Sequence, residues 1–386
     1  MRITRLRLKN WKNFREADLV LRNRAFLVGP NASGKSNILD AFRFLQDLTR
    51  SGGGLEAAVG SRGDAGKIRC LAARRHSDIE LMAEFGEEAE SPEWKYELAF
   101  SQDNNQRPIV KREIVRAGYR REPVLERPNR DDKSDPARLT QTFLEQVSAN
   151  KEFREIPEFL RTIRYLHVVP QLIRDPNRGA KPVKGDPYGS DFLESLAGVP
   201  DKTRSSRLRA INEALRRAVP LFEEMDLERD NWGVPHLKAR YEHWRKHGAW
   251  QHEDQFSDGT LRLIGFLWAL YEGTGPLLLE EPELSLHSEV VRHIPQMIAR
   301  IQLAQAKRKR QVIVSTHSRE LLGDTGIPHS EIFFLEPSRE GTTVRCLLDA
   351  PHLTELIRGG TSTGDVLIGA TRPKDVADLA NFTPAQ

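Results

Sequence analysis

The run Gly29-Pro30-Asn31-Ala32-Ser33-Gly34-Lys35-Ser36 completes the pattern G-x-x-x-x-G-K-[ST]. A turn of this form offers successive backbone N–H groups to an anion, and a helix starting at its end adds positive potential. Lys35 is placed to reach the β- and γ-phosphates of a nucleotide, and Ser36 to ligate Mg2+. Gly29, Asn31, Ser33, Gly34, Lys35, Ser36 and Asn37 form the candidate cofactor-binding set, with ATP and Mg2+ as the expected cofactors. The same eight letters could fall by chance in a surface turn. Here a strand-like run, Ala25-Phe26-Leu27-Val28, leads in and a helical pattern leads out, as a phosphate loop requires.

Three further runs carry candidate chemistry. Leu277-Leu278-Leu279-Glu280-Glu281-Pro282 is an apolar strand closed by two carboxylates. The first suits the magnesium side, as a metal ligand, and the second suits orienting or deprotonating an attacking water. An acidic turn after a buried strand would read the same in isolation; the P-loop upstream favours catalysis. Val312-Ile313-Val314-Ser315-Thr316-His317-Ser318 puts His317 at a strand's C-terminal end, where open parallel sheets bind ligands. There His317 can sense a γ-phosphate. Phe256-Ser257-Asp258-Gly259-Thr260 precedes a helix. It reads either as a cap, with Ser257 or Asp258 at the N-cap, or as a second anion site. Two anion sites with one carboxylate pair make sense if a nucleotide is shared between two subunits.

The elements that must hold these residues follow from periodicity. Ile3, Leu6 and Leu8 alternate among Arg2, Arg5 and Arg7, and a second strand is expected at 17–21. Ile38, Leu39, Phe42, Leu45 and Leu48 have helical spacing over 37–49. Short strand-like runs over 67–115 predict a β-rich flank, and 121–137 reads as a loop. Helices are expected at 138–163 and 204–219, with a core strand at 163–169 and a loop rich in Pro, Gly and Lys at 174–190. Helix 261–271, strand 276–279, helix 288–306 and strand 311–315 then alternate, as in a parallel sheet with flanking helices. The expected organisation is a single head over 1–386. An N-lobe (1–120) is followed by a largely helical insert (121–250), a C-lobe (251–350) and a tail (351–386) without a clear signal.

Composition sets the outer limits. Of 386 residues, 38% are hydrophobic and 30% charged, a globular balance, and the longest apolar runs are too short to span a bilayer. No leader-like segment precedes the first strand, so the expected compartment is the cytoplasm, with no membrane partner. Two isolated cysteines, Cys70 and Cys346, exclude a disulfide framework. The net charge of +4 comes mainly from arginine, which outnumbers lysine 43 to 16. Arginine suits bidentate phosphate contact, so nucleic-acid binding is permitted, though genomic base composition explains the excess equally well. Arg209, Arg216 and Arg217 lie off the apolar face of their helix, as either a DNA or partner groove or a solvated face. Lys307 to Arg310 read as cations at a helix C-terminus.

The four motifs, in this order, resemble the ATPase head of the ABC superfamily, in its RecF, SMC and OLD-like branch. The opening Ile3-Thr4-Arg5-Leu6-Arg7-Leu8-Lys9-Asn10-Trp11-Lys12-Asn13-Phe14 and Gly29-Pro30-Asn31 are similar to that branch. Ser257-Asp258-Gly259-Thr260-Leu261-Arg262 and Glu280-Glu281-Pro282-Glu283 resemble compact AAA-type ATPases often associated with bacterial anti-phage systems. The resemblance implies an α/β P-loop head with a mixed central sheet, a β-rich flank and a helical insert. It makes Ser257 and Gly259 a signature motif that clamps the partner's ATP. It makes Glu281 the catalytic base, with His317 also catalytic, Glu280 and Ser36 the metal-side residues, and Gln171 a Q-loop residue. Residues 283–287 fall where a D-loop passes between subunits.

The chain departs from that pattern in several places. Glu280 stands where aspartate is usual, and Thr260 where a polar or acidic residue is usual. There is no long coiled coil, no Cys-x-x-Cys hook, and too little sequence past His317 for a fused nuclease. The implied function is a slow ATPase that dimerises around ATP and controls a separate effector, a nuclease in phage defence. The alternatives are a RecF-like clamp on duplex DNA and an ATP-bound scaffold with negligible turnover.

Overall fold

The structure is a computed structural model that describes residues 1–74, 77–118, 120–175, 185–244, 249–304 and 310–372. Its strands are β1 (Arg2–Trp11), β2 (Phe14–Val20), β3 (Arg24–Val28), β4 (Ile79–Gly86), β5 (Trp94–Gln102), β6 (Pro108–Ala117), β7 (Leu125–Arg127), β8 (Arg164–Leu166), β9 (Phe222–Arg229), β10 (Pro235–Tyr241), β11 (Ala249–His252), β12 (Leu277–Glu280), β13 (Val312–Thr316), β14 (Ile332–Ser338) and β15 (Gly341–Cys346). They form three sheets, ordered β2-β1-β4-β5-β6-β7, β11-β10-β9 and β15-β14-β3-β13-β12-β8.

The third sheet positions the site. Its strands β8, β12, β13, β3 and β14 run parallel, and β15 pairs antiparallel at the edge. Both faces are buried, and the two-residue period of a strand sorts its side chains between two cores. Ala25, Leu27, Leu278 and Ile313 face the core shared with the first sheet. Phe26, Val28, Leu277, Leu279, Val312 and Val314 face the core shared with the helix Asp258–Tyr271. Burial of each such side chain contributes about 1.5–3 kcal/mol. The parallel register then places the ends of β3, β13 and β12 level: Val28 pairs with Thr316, and Ser315 with Glu280.

The first sheet is the expected β-rich flank. Ile3, Leu6 and Leu8 of β1 are buried, while Arg5 pairs with Asp18 and Lys9 with Glu80 on the other face. At its far edge Arg127 is fully buried between Glu113 at 2.9 Å and Asp132 at 2.9 Å, fixing β7 to β6.

Several expectations differ from the structure. The stretch 138–163 is no continuous helix: the 3-10 turns Pro136–Thr140 and Lys151–Phe153 precede a short helix, Glu155–Arg161. Glu113 accepts from the backbone N–H groups of Phe143 and Leu144, and Glu145 from Thr142, so polar anchoring shapes this segment. The expected core strand at 163–169 is the edge strand β8, three residues long. The stretch 121–250 carries the helix Asp201–Ala218 as expected, but also the antiparallel sheet β9 to β11. Its buried Met225, Leu237 and Ala239 alternate with charged residues, a two-residue period. The expected helix 288–306 breaks into Ser288–Val291 and Ile294–Ala304. The tail forms the helices Pro351–Arg358 and Thr363–Ala370. Lys307 to Lys309 lie outside the described residues, as does most of the loop expected at 174–190. Arg310 is buried and donates to the carbonyls of Ala269, Glu272 and Gly275, at the end of the helix Asp258–Tyr271 rather than of its own. Among the described residues no helix is long and apolar enough to cross a membrane.

Candidate active site at the C-terminal edge of the parallel sheet

The P-loop leaves β3 and enters the helix Lys35–Asp47. Ala32 and Gly34 have positive φ, 63° and 99°, which turns the chain back over the helix N-terminus. Gly34 is required twice, since a Cβ there would also collide with Asn13. Asn13 is a buttress that the sequence motifs do not single out. Its Nδ2 donates to the Ser33 carbonyl at 2.8 Å and to Thr342 Oγ1 at 2.8 Å, and its Oδ1 accepts from Asn37 at 2.7 Å. Trp11 Nε1 donates to the Asn37 carbonyl at 2.8 Å. Asn37 thus serves the loop from behind.

Lys35 is buried, and its Nζ donates to the carbonyls of Gly29 at 2.9 Å and Pro30 at 3.2 Å. Burial pulls its pKa below the ordinary lysine value, against the opposing pull of Glu281, Glu283 and Glu280. The nearest carboxylate, Glu281, stands 3.9 Å away. Ser33 Oγ is buried without a partner. A buried cation satisfied only by carbonyls and an unpartnered hydroxyl fit a phosphate group, which would supply the missing anionic oxygens.

Glu280 and Glu281 take different partners. Glu280 accepts from Ser36 Oγ and from Tyr165 Oη. Ser36 and Glu280 are therefore the pair that would hold Mg2+, whose role is to neutralise phosphate charge. Glutamate in place of aspartate reaches across from β12 to Ser36 by its longer side chain. Glu281 has φ 45°, which swings it off the strand. It lies between Lys35 and His317, with His317 Nδ1 3.0 Å from its Oε1. The His317 backbone is held by Glu283, which accepts from His317 N–H at 3.2 Å and from Thr316 Oγ1 at 2.6 Å. Burial raises the Glu283 pKa, and these hydrogen bonds oppose that shift. Glu283 thus anchors the end of β13.

Tyr165 and His167 are a further addition. Both lie at the end of β8, beside β12; His167 Nδ1 is 3.3 Å from the Glu280 carbonyl. Burial and the bond to Glu280 raise the Tyr165 pKa, and Arg43 stacks on its ring at 4.4 Å. The available signal is two polar aromatic residues two positions apart, in a run that reads as a core strand. Gln171 instead lies exposed on the short helix Pro170–Arg174 that follows. Asn31 is exposed at the loop's tip.

The Ser257 corner starts the next helix, whose Arg262 feels both Asp258 and Glu281. Ser257 caps the helix Asp258–Tyr271, its Oγ accepting from Thr260 N–H at 3.1 Å. Gly259 packs against the Ser285 carbonyl so closely that a Cβ would clash. Arg174 holds the entry to this corner, donating to the Phe256 carbonyl and pairing with Asp258 at 2.6 Å. Lys35, Ser36, Glu280, Glu281 and His317 are brought together; Gly259 packs against Ser285 and Leu286, and the Ser257 hydroxyl is taken up by Thr260.

Over residues 24–323 the sequence matches the family described as "AAA domain, putative AbiEii toxin, Type IV TA system". The chain belongs to this AAA family. Its fold is that of the SMC head. A solved SMC head bound to the C-winged helix domain of ScpA is 15% identical, with TM-score 0.52 over 89% of this chain and 97% of that one. The SMC head of Pyrococcus furiosus, with an extended coiled coil and bound to the C-terminal domain of ScpA, is 13% identical, with TM-score 0.50 over 92% and 99%. No curated protein matches the sequence. The chain is thus an AAA-family P-loop ATPase with the fold of an SMC head.

Proposed function

We propose that this chain is an ATP-driven switch that pairs with a second copy around bound ATP and controls a separate effector, a nuclease, in bacterial anti-phage defence. The carrying observation is the division of the site. One chain assembles Lys35, Ser36, Glu280, Glu281 and His317, while its Ser257–Gly259 corner turns to Ser285. A second subunit's corner would complete the phosphate cradle. Glu281 serves as general base, its orientation held by His317, and Glu280 serves with Ser36 on the metal side. The toxin–antitoxin description of the family and the ScpA-bound SMC heads support contact with a second, different protein.

The test separates the two carboxylates. General-base assistance is worth about 10²–10⁴-fold in rate. Steady-state phosphate release by Glu281→Gln falls by that factor while ATP binding survives. Glu280→Gln also weakens magnesium-dependent binding. Wild-type turnover by Glu281→Gln, or equal loss of binding by both variants, sinks the assignment.

A groove of about 1390 Å³ beside the P-loop helix favours a second reading, a clamp on duplex DNA. Arg50, Lys67, Arg69, Arg74 and Arg339 line it. That reading requires duplex binding that depends on ATP and weakens steeply with salt.

A further inference from the structure

Away from the P-loop, the solvated face of the small antiparallel sheet gathers two imidazoles and a carboxylate. His236 comes from β10, His252 ends β11, and Glu253 begins the 3-10 turn Glu253–Gln255. One ligand atom from each lies within 4.8 Å of the others. Around a tetrahedral zinc ion, with bonds of about 2.0–2.1 Å, ligand atoms stand about 3.3 Å apart, so modest side-chain movement closes the set.

His236 and Glu253 are already oriented, whereas the His252 ring caps its turn by accepting from Gln255 N–H and must release that bond to take a metal. Glu253 is buried, and its Oε2 accepts from Leu237 N–H at 2.9 Å, leaving Oε1 directed at His236 Nδ1, 2.8 Å away. The other His236 nitrogen, Nε2, lies 3.7 Å from Asp230 Oδ2. Asp230 is itself fixed by the N–H groups of Trp232 at 2.9 Å and Val234 at 2.8 Å. A carboxylate behind a histidine, on the nitrogen away from the metal, is a recurrent outer-shell device. Glu228 Oε1 stands 3.5 Å from His252 Nε2, its other oxygen paired with Lys238. The open fourth position falls to Glu228 or to water. Two imidazoles and a carboxylate select zinc-class ions over magnesium or calcium, which prefer oxygen ligands.

We propose that His236, His252 and Glu253 hold a zinc-class divalent cation that ties strand β10 to the turn entering the Ser257–Gly259 corner. The turn runs from Glu253 through buried Phe256 directly into Ser257, so the ion fixes one end of that corner as Arg174 fixes its side.

The experiment uses the full chain, stripped with chelator and given zinc without nucleotide, so its outcome is independent of the ATP reading. Metal is counted after gel filtration, affinity is measured by competition with a chromophoric chelator, and melting temperature is recorded with and without zinc. The expected result is one zinc per chain and a higher melting temperature, since a ligand of the folded state alone stabilises it. His252→Ala, at an exposed side chain whose loss leaves the core intact, abolishes the stoichiometric zinc and the melting shift. Asp230→Asn weakens zinc by about 10–100-fold. Cobalt substitution gives visible bands that the His252 variant loses. No stoichiometric zinc in the wild type, or equal zinc in His252→Ala, overturns the site. Zinc without a melting shift overturns the tie.

Discussion

Two buried cations sit in this molecule in opposite conditions. Arg127, in the β-rich flank, is closed on every side. It meets Asp132 and Glu113 at 2.9 Å, and the carbonyls of Arg138 at 2.8 Å and Gln141 at 2.9 Å. Burial opposes its charge, but those carboxylates more than offset this and raise its pKa. Lys35 has two carbonyls and no carboxylate nearer than 3.9 Å, and its pKa is lowered. Arg310 shows that a shortage of anions is not enough by itself, since it is buried among carbonyls and closes a helix end. What sets Lys35 apart is that its shortage lies in a phosphate loop, beside the unpartnered Ser33 hydroxyl.

The comparison is broken or sharpened by exchanging each cation for a neutral side chain of similar length. The largest effect falls on ligand binding. Lys35→Met loses tight ATP binding by calorimetry, while its thermal stability stays within about 1 kcal/mol of the wild type, because its one ion-pair partner, Glu281, is 3.9 Å away and keeps its contact with His317. Unchanged ATP affinity would remove Lys35 from the site. Arg127→Met does the reverse. It leaves Glu113 and Asp132 buried without their partner and costs about 3–5 kcal/mol by denaturant unfolding. A loss under 1 kcal/mol would show that the cluster relaxes to water. The smallest effect is at the P-loop's buttress. Asn13→Ala removes hydrogen bonds to Ser33, Asn37 and Thr342. Only the bonds to Ser33 and Asn37 bear on the loop, and one or two typical bonds at about 1 kcal/mol each lower ATP affinity roughly five- to thirtyfold with Lys35 intact. Unchanged affinity would make Asn13 a bystander.

The contrast also explains what was legible in the sequence. The P-loop, the paired glutamates and His317 are contiguous runs attached to apolar strands, and a local pattern survives in one dimension. The parallel sheet followed from the same runs. Asn13, Tyr165 and His167 reach the site only through strand register, which no local spacing encodes. Arg127 and its carboxylates are 5 and 14 residues apart, and they read as ordinary charges in a polar stretch. The segment 138–163 reads as one helix because its apolar residues have near-helical spacing, whereas the buried Glu113 and the half-buried Glu145 dictate its turns. The small sheet β9 to β11 is hard to read because β9 and β10 each bury one face and are dense in charge on the other.

The proposed division of the ATP site between two chains is tested most directly by mass. Glu281→Gln keeps Lys35, Ser36 and Glu280 and removes a negative charge beside the phosphates, so the paired state accumulates. Light scattering of this variant with ATP and Mg2+ is predicted to give twice the mass seen without nucleotide, and the added substitution Ser257→Arg is predicted to restore the smaller mass. The account is contradicted if ATP leaves the mass unchanged, or if Ser257→Arg pairs as readily as its parent.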